Sequence, residues 1–287
     1  MQYTISTTLT ADEGHPGVGD DGPDPEAKES AIPAKNPAAL LARLWRLPGA
    51  SRLGRPAELD VEKVVLTAVD LADREGLAGA TLPKVAKALG FTPMSLYRHV
   101  GSKDELLVLM GDSALGRPPA TKPTGDWRED LRLWATAGRA LNRERPWLAR
   151  LPISGPPSGP NELAWLEAGL HALRSTGLDW SQKLGSLTLL NGYIRHATLL
   201  SQDLAQGRGE DRDQATAERE YARNLAELLD PVDYPETAQL FTSGHFDVPA
   251  APNADDPVLD EHFTFGLERI LDGIAAAVAD PAGTTFR

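Results

Sequence analysis

Cysteine is missing from all 287 residues. Its absence excludes disulfides, thiolate nucleophiles, iron–sulfur clusters and cysteine-ligated zinc sites. It also fits a reducing compartment. Aromatic residues are scarce at 6%, with only six tryptophans, so the place of each one matters. No apolar run is long enough to span a bilayer. The opening residues, MQYTISTTLTADEGH, lack the cationic start and apolar stretch of a signal peptide. A soluble cytoplasmic protein with no membrane partner is therefore expected. Catalytic signatures are lacking as well: there is no GxSxG, HExxH, P-loop or dinucleotide-binding glycine motif. No enzyme is expected, and no cofactor or metal is implied. No alternating strand pattern and no internal repeat competes with the helical periodicity described next. The expected fold class is all-α.

The chain carries a net charge of -12, and 41% of its residues are hydrophobic. Such a chain can build a sizeable core. Its charge is unevenly spread. Residues 1–35 are rich in Gly, Pro and acids, with seven acids against one lysine in the first thirty. This composition buries too little apolar surface to offset the entropy of ordering, so a disordered acidic tail is expected. The sign then reverses. Residues 36–57 read as a basic arm, with Arg43, Arg46, Arg52 and Arg55 and no acid before Glu58. Within the arm, Leu40, Leu41, Leu44, Trp45 and Leu47 have the spacing of one short amphipathic helix.

Residues 58–115 hold closely spaced helix signals. Asp60 can cap a helix with Val61, Val64, Val65, Ala68, Leu71 and Ala72 on one face, ending at Gly76. Thr81 can cap LPKVAKAL, and Gly90 breaks it. Thr92 can cap a third helix, with Pro93 at its first position, running to about Val100. SKDE at 102–105 is a capping box for a fourth. A short helix, a glycine-containing turn and a second short helix make the layout of a helix-turn-helix, whose second helix enters the DNA major groove. Between Thr81 and Lys103 the charged residues are Lys84, Lys87, Arg98 and Lys103, all positive. An acidic chain thus keeps one acid-free window, as approach to phosphates requires.

TLPKVAKALGFTPMSLYRHVGSKDELLVLM resembles the helix-turn-helix of the tetracycline-repressor (TetR) family. Gly90, Phe91, the SLYRHV segment with Tyr97 and His99, and Lys103 carry the likeness, which covers about residues 58–112. FTFGLERILDGI at 263–274 resembles the dimerisation helix of one branch of that family. The resemblance implies a DNA-binding domain on a larger helical ligand-binding and dimerisation domain. It implies that Thr92, Pro93, Met94, Ser95, Tyr97, Arg98 and His99 lie on the recognition helix, and that Thr81, Lys84 and Lys103 reach phosphates. Pro93 and Met94 depart from the polar base readers common at those positions, which shifts base reading toward Ser95, Arg98 and apolar contact with thymine methyls. Arg52 and Arg55 extend the expected footprint into the minor groove.

Residues 120–280 carry the longer helices, expected at about 126–144, 161–175, 179–206, 212–229, 235–243 and 257–279. DWRE at 126–129 and DWSQ at 179–182 are further capping boxes. The helix at 179–206 is apolar around most of its girth, apart from a stripe of Thr188, Asn191, Arg195, Thr198 and Gln202. A ligand, a second subunit or solvent would each satisfy such a stripe. With Trp134, Trp147 and Trp165, its residues Thr188, Asn191 and Arg195 are the expected effector contacts. Ordinary core packing is the competing reading for each tryptophan. On the last helix Phe263, Leu267, Ile270 and Ile274 share one face and are the expected dimer interface, although packing within one chain would give the same pattern. The acids Glu210, Asp211 and Asp213 read as a solvated loop.

The expected partners are double-stranded operator DNA, a second copy of the chain and a small-molecule effector. The expected function is repression relieved by that effector. The alternatives are a ligand-blind or protein-regulated DNA-binding regulator and, less in keeping with the motifs, an enzyme.

Overall fold

The computed structural model describes residues 37–47, 59–120, 122–208, 214–247 and 257–280. The expected acidic tail at 1–35, Arg52 and Arg55, and the acids at 210, 211 and 213 lie outside the described residues. Eleven α-helices and two short 3-10 helices make up the regular structure among the described residues, with no strand.

The first helices are α1 (Pro37–Leu44), α2 (Val61–Glu75), α3 (Leu82–Leu89), α4 (Pro93–Val100) and α5 (Lys103–Leu115). Their starts are set locally, by side chains that accept otherwise unmatched N–H groups. Asp60 accepts from the Lys63 N–H at 2.8 Å, Thr81 from Lys84 at 3.4 Å and Ser102 from Glu105 at 3.0 Å. The box expected at 102–105 is only half formed, because the Glu105 carboxylate pairs with Arg43 of α1. Between α3 and α4 the chain reverses at Gly90, whose φ of 76° and ψ of 24° are left-handed. A side chain there would be strained, so glycine sets the turn.

These helices close over one core. Val64, Val65, Val85, Leu96, Val100, Leu106, Leu109 and Met110 are buried in it, and Leu44 of α1 joins them. Burying each such side chain stabilises the fold by about 1.5–3 kcal/mol before entropy is counted.

The larger region contains α6 (Trp127–Glu144), α7 (Pro160–Ala172), α8 (Trp180–Arg208), α9 (Gln214–Leu228), α10 (Pro235–Thr242) and α11 (Pro257–Ala279). The box at Asp179 is complete: Asp179 N–H donates to Gln182 at 2.9 Å, and Gln182 N–H donates back at 2.8 Å. At Asp126 the side chain caps Arg128 N–H instead, and Glu129 pairs with Arg132. A second core forms from Leu131 and Ala135 of α6, Leu187, Leu190 and Ile194 of α8, and Phe263, Leu267, Leu271 and Ile274 of α11.

The last helix therefore differs from expectation. Phe263, Leu267 and Ile274 are buried within the single chain and Ile270 is half-buried against the same core. Tyr193 of α8 stacks on Phe263 at 5.3 Å, and its hydroxyl donates to the carbonyls of His262 and Phe263 at 3.1 and 3.0 Å. On the flank, Arg128 and Arg132 of α6 hold Glu268 of α11 at 2.6 Å each. The apolar stripe turns inward because α6 and α8 together offer it a matching apolar surface.

Trp147 also differs. It sits in the first core, and its indole N–H donates to Asp73 of α2 at 2.7 Å. The 3-10 segment Pro146–Arg150 carries it there.

Candidate functional site

Two places in this fold have the geometry of a site. The first is the outward face of α3 and α4. Leu96 and Val100 anchor α4 in the core, so the remaining faces of this eight-residue helix point outward. Met94 is 72% exposed and Tyr97 42%, and Thr92, Pro93 and Arg98 are exposed beside them. Ser95 and His99 are half-buried. Ser95 donates to the Thr92 carbonyl at 3.0 Å and exchanges a hydrogen bond with the Thr92 hydroxyl at 2.8 Å, which tightens the first turn.

Lys103 opens α5 and is exposed, with no ion pair among the described residues. Lys84 is exposed too, but pairs with Glu75 at 2.7 Å. That hydrogen bond holds the Glu75 carboxyl below its ordinary value. Thr81 is half-buried and occupied as an N-cap. The face is thus a compact surface of polar, aromatic and cationic groups on a short rigid helix. It has the shape and charge for a DNA groove.

The second place is a cavity of about 460 Å³ between α6, α7 and the residues Arg117, Pro118, Pro119, Ala120 and Pro123. Trp134 and Trp165 form its wall, edge to face with ring centroids 5.9 Å apart. Both indole N–H groups are used elsewhere: Trp134 donates to the Trp165 carbonyl and Trp165 to the Gly116 carbonyl, each at 3.0 Å. The rings therefore offer apolar faces rather than donors. Leu133, Ala137, Ala164, Ala168 and three prolines add apolar lining, while Arg117, Asp130, Glu167 and His171 supply polar groups. This mixture of apolar walls and a few polar groups suits a small molecule of drug-like size.

Of the expected effector contacts, Trp134 and Trp165 line this cavity, and Trp147, Thr188, Asn191 and Arg195 do not. Thr188 and Asn191 are exposed on the outer face of α8. Arg195 donates to the Leu151 carbonyl at 2.7 Å. Thr198 bonds the Ile194 carbonyl, and Gln202 donates to the Pro146 carbonyl at 2.9 Å. The lower half of the polar stripe thus clamps the 146–151 segment. Sequence reasoning missed Arg117, Asp130, Glu167 and His171. A signal existed: Ala137 and Ala168 lie three residues after Trp134 and Trp165, on the same helix faces, so small residues leave space beside large ones.

Known proteins match both places. Residues 65–110 match the family described as “Bacterial regulatory proteins, tetR family”. Residues 118–278, more than half the chain, match “Tetracyclin repressor-like, C-terminal domain”. The chain belongs to the TetR family. It is a transcription regulator with a DNA-binding helix-turn-helix, not an enzyme.

Within that family it is similar to the HTH-type transcriptional repressor DrrR1 of Streptomyces coeruleorubidus. The two are 35% identical over 250 residues, 86% of this chain and 88% of the relative. The tetracycline repressor protein class E of Escherichia coli is 30% identical over 51% of this chain and 70% of its own. Among solved structures, ActR of Streptomyces coelicolor in complex with actinorhodin superposes with a TM-score of 0.62. It is 28% identical and is covered completely, against 79% of this chain. Among the described residues, no helix of this TetR-family chain is long and apolar enough to cross a membrane.

Proposed function

We propose that this protein is a homodimeric repressor that binds a two-fold operator and releases it when a small molecule fills the cavity beside Trp134 and Trp165. The observation that carries this reading is the pairing of an exposed recognition helix with a separate solvent-open cavity, the two linked by α5. A closed, filled interior would have favoured a ligand-blind regulator.

In this reading Thr92, Met94, Ser95, Tyr97, Arg98 and His99 read base edges, with Pro93 setting the first turn. Thr81 and Lys103 hold phosphates, and Lys84 exchanges Glu75 for a phosphate on binding. Met94 and Tyr97 suit contact with thymine methyls, and Arg98 suits guanine. Two subunits meet through the outward faces of α8 and α11, where Leu184, Leu189 and Phe265 are exposed in the single chain. Phe263, Leu267, Ile270 and Ile274 support that interface from beneath rather than forming it.

The effector is a flat, largely apolar aromatic molecule that stacks on the tryptophan faces and turns its few polar groups toward Arg117, Asp130 or His171. Actinorhodin, bound by the related ActR, is the first probe to try. The functional test is selection of duplex DNA from a random pool by the full-length protein. An inverted repeat with half-site centres about one helical turn, or a multiple of it, apart is expected. Enrichment of no sequence, or of an unpaired half-site alone, would count against the proposal.

A further inference from the structure

Asp112 lies on α5, is 4% exposed, and makes no ion pair among the described residues. Its Oδ1 accepts the backbone N–H groups of Asn161 and Glu162 at 2.9 Å each. Its Oδ2 accepts from the Asn161 side-chain amide at 3.2 Å, and that amide also donates to the Asp112 carbonyl at 2.9 Å. These are the unmatched donors of the first turn of α7. A helix ordinarily takes such a cap from its own N-cap residue. In α7 that residue is Gly159, which has no side chain, and the cap comes from α5 instead.

Gly159 also makes the close approach possible. A Cβ there would lie 2.1 Å from Asp112 Oδ1 and 2.8 Å from Asp112 Cβ. One turn further along α5, the Gly116 carbonyl accepts the indole N–H of Trp165, a wall of the cavity. α7 thus grips α5 at two points and lines the cavity with Trp165, Ala168 and His171. The other end of α5 begins at Lys103 and packs against α4.

We propose that Asp112 is the positioning residue through which the occupied cavity reaches the recognition helix. The inference rests on the reading of this cavity as the effector site. A molecule that displaces α7 cannot slide it past α5 without breaking charge-assisted hydrogen bonds in a buried place, where their loss is costly. The two helices therefore move together. α5 carries the displacement to α4 and alters the spacing of the two reading heads. Burial raises the Asp112 carboxyl above its ordinary value, while the Glu162 and Asn161 N–H groups oppose that rise, as befits a buried charge held by backbone donors.

The experiment needs no ligand. Ala168→Phe fills the cavity from α7 and stands in for an occupant. Operator affinity is measured for the full-length wild type, Asp112→Ala, which leaves both backbone N–H groups without their acceptor, and the exchange Asp112→Asn/Asn161→Asp, which keeps an acceptor for them and rebuilds an acid–amide pair with the roles reversed. Each is measured with and without Ala168→Phe. The filler is expected to weaken operator binding about tenfold in the wild type and in the exchange variant, a usual size for coupling between sites. In Asp112→Ala the weakening is expected to shrink to about twofold or less, near the limit of independent effects.

A purely structural Asp112 would lower the thermal midpoint but leave the effect of the filler unchanged. Equal weakening in the wild type and Asp112→Ala overturns the proposal and leaves the effector reading standing. No weakening in the wild type overturns both. If Asp112→Ala folds poorly, Asn161→Ala removes only the side-chain half of the joint and is carried through the same cycle. A weakening smaller than in the wild type supports the proposal, and an equal one overturns it.

Discussion

Lys103→Ala isolates one phosphate contact. Lys103 is the first residue of α5, is exposed, and has no competing carboxylate among the described residues. Its ammonium is free to neutralise one phosphate in each half-site. A protein that neutralises Z phosphates loses affinity with salt at a slope of about -0.9Z on logarithmic axes. Two subunits losing one lysine each lower the slope by about 1.8. Between about 50 and 200 mM salt, a fourfold rise, the wild type should then lose about tenfold more affinity than the variant.

Lys84→Ala should change the slope less, because Lys84 must first leave Glu75 at 2.7 Å and uncover a carboxylate. The assay is fluorescence anisotropy of a labelled operator at four or more salt concentrations. An unchanged slope for Lys103→Ala would remove this residue from the interface. A larger change for Lys84→Ala would refute the reasoning about its pairing.

Arg98→Ala should alter preference at a single base position by about 1–3 kcal/mol, read by competition among operator variants, whereas a phosphate role would weaken all variants alike. Leu189→Glu places a charge on a side chain that is 56% exposed in the single chain, so the fold should survive while sedimentation reports monomers and operator binding is lost. Glu268 is held down to about 2, from an ordinary 4.5, by hydrogen bonds from Arg132 and Arg128. A depressed carboxylate contributes stability that is full above pH 4.5 and is lost as pH falls through about 2. With its side chain 24% exposed, the net effect should be only about 1 kcal/mol. Glu268→Gln should therefore lower the melting temperature at pH 7 and leave it unchanged near pH 2, as thermal unfolding would show.

The helices were legible because their ends are decided locally. Asp60, Thr81, Ser102, Asp126 and Asp179 each cap the helix that their sequence context announces, whereas Thr92 makes no cap bond because its hydroxyl pairs with that of Ser95. The turn at Gly90 was legible for the same reason. What a helix faces is not a local property. The stripe of α11 has the same spacing whether it meets α8 of its own chain or a second copy. The structure shows the first, while the surface left open is marked by Leu184, Leu189 and Phe265.

The polar residues of α8 looked alike in sequence, yet Asn191 is exposed and Arg195 reaches Leu151. Their fates were set by a 3-10 segment that periodicity does not reveal. The cavity was half legible. Trp134 and Trp165 are two of the three tryptophans that the sequence marks, but Arg117, Pro118 and Pro119, which help to wall the cavity, fall between the two regions expected at 58–115 and 120–280. The cap that α5 lends to α7 was invisible, because Asp112 and Gly159 are joined only by the fold.

The most direct test combines two signals in one titration. A selected operator carrying a fluorophore is bound to the full-length protein, and a planar aromatic ligand that quenches tryptophan emission is added while operator anisotropy and tryptophan emission are followed together. Quenching and release should occur over the same concentration range, because the molecule that covers Trp134 and Trp165 is the one that moves the reading heads. Full quenching with the operator still held would contradict the coupling of cavity to DNA on which this account of the protein depends.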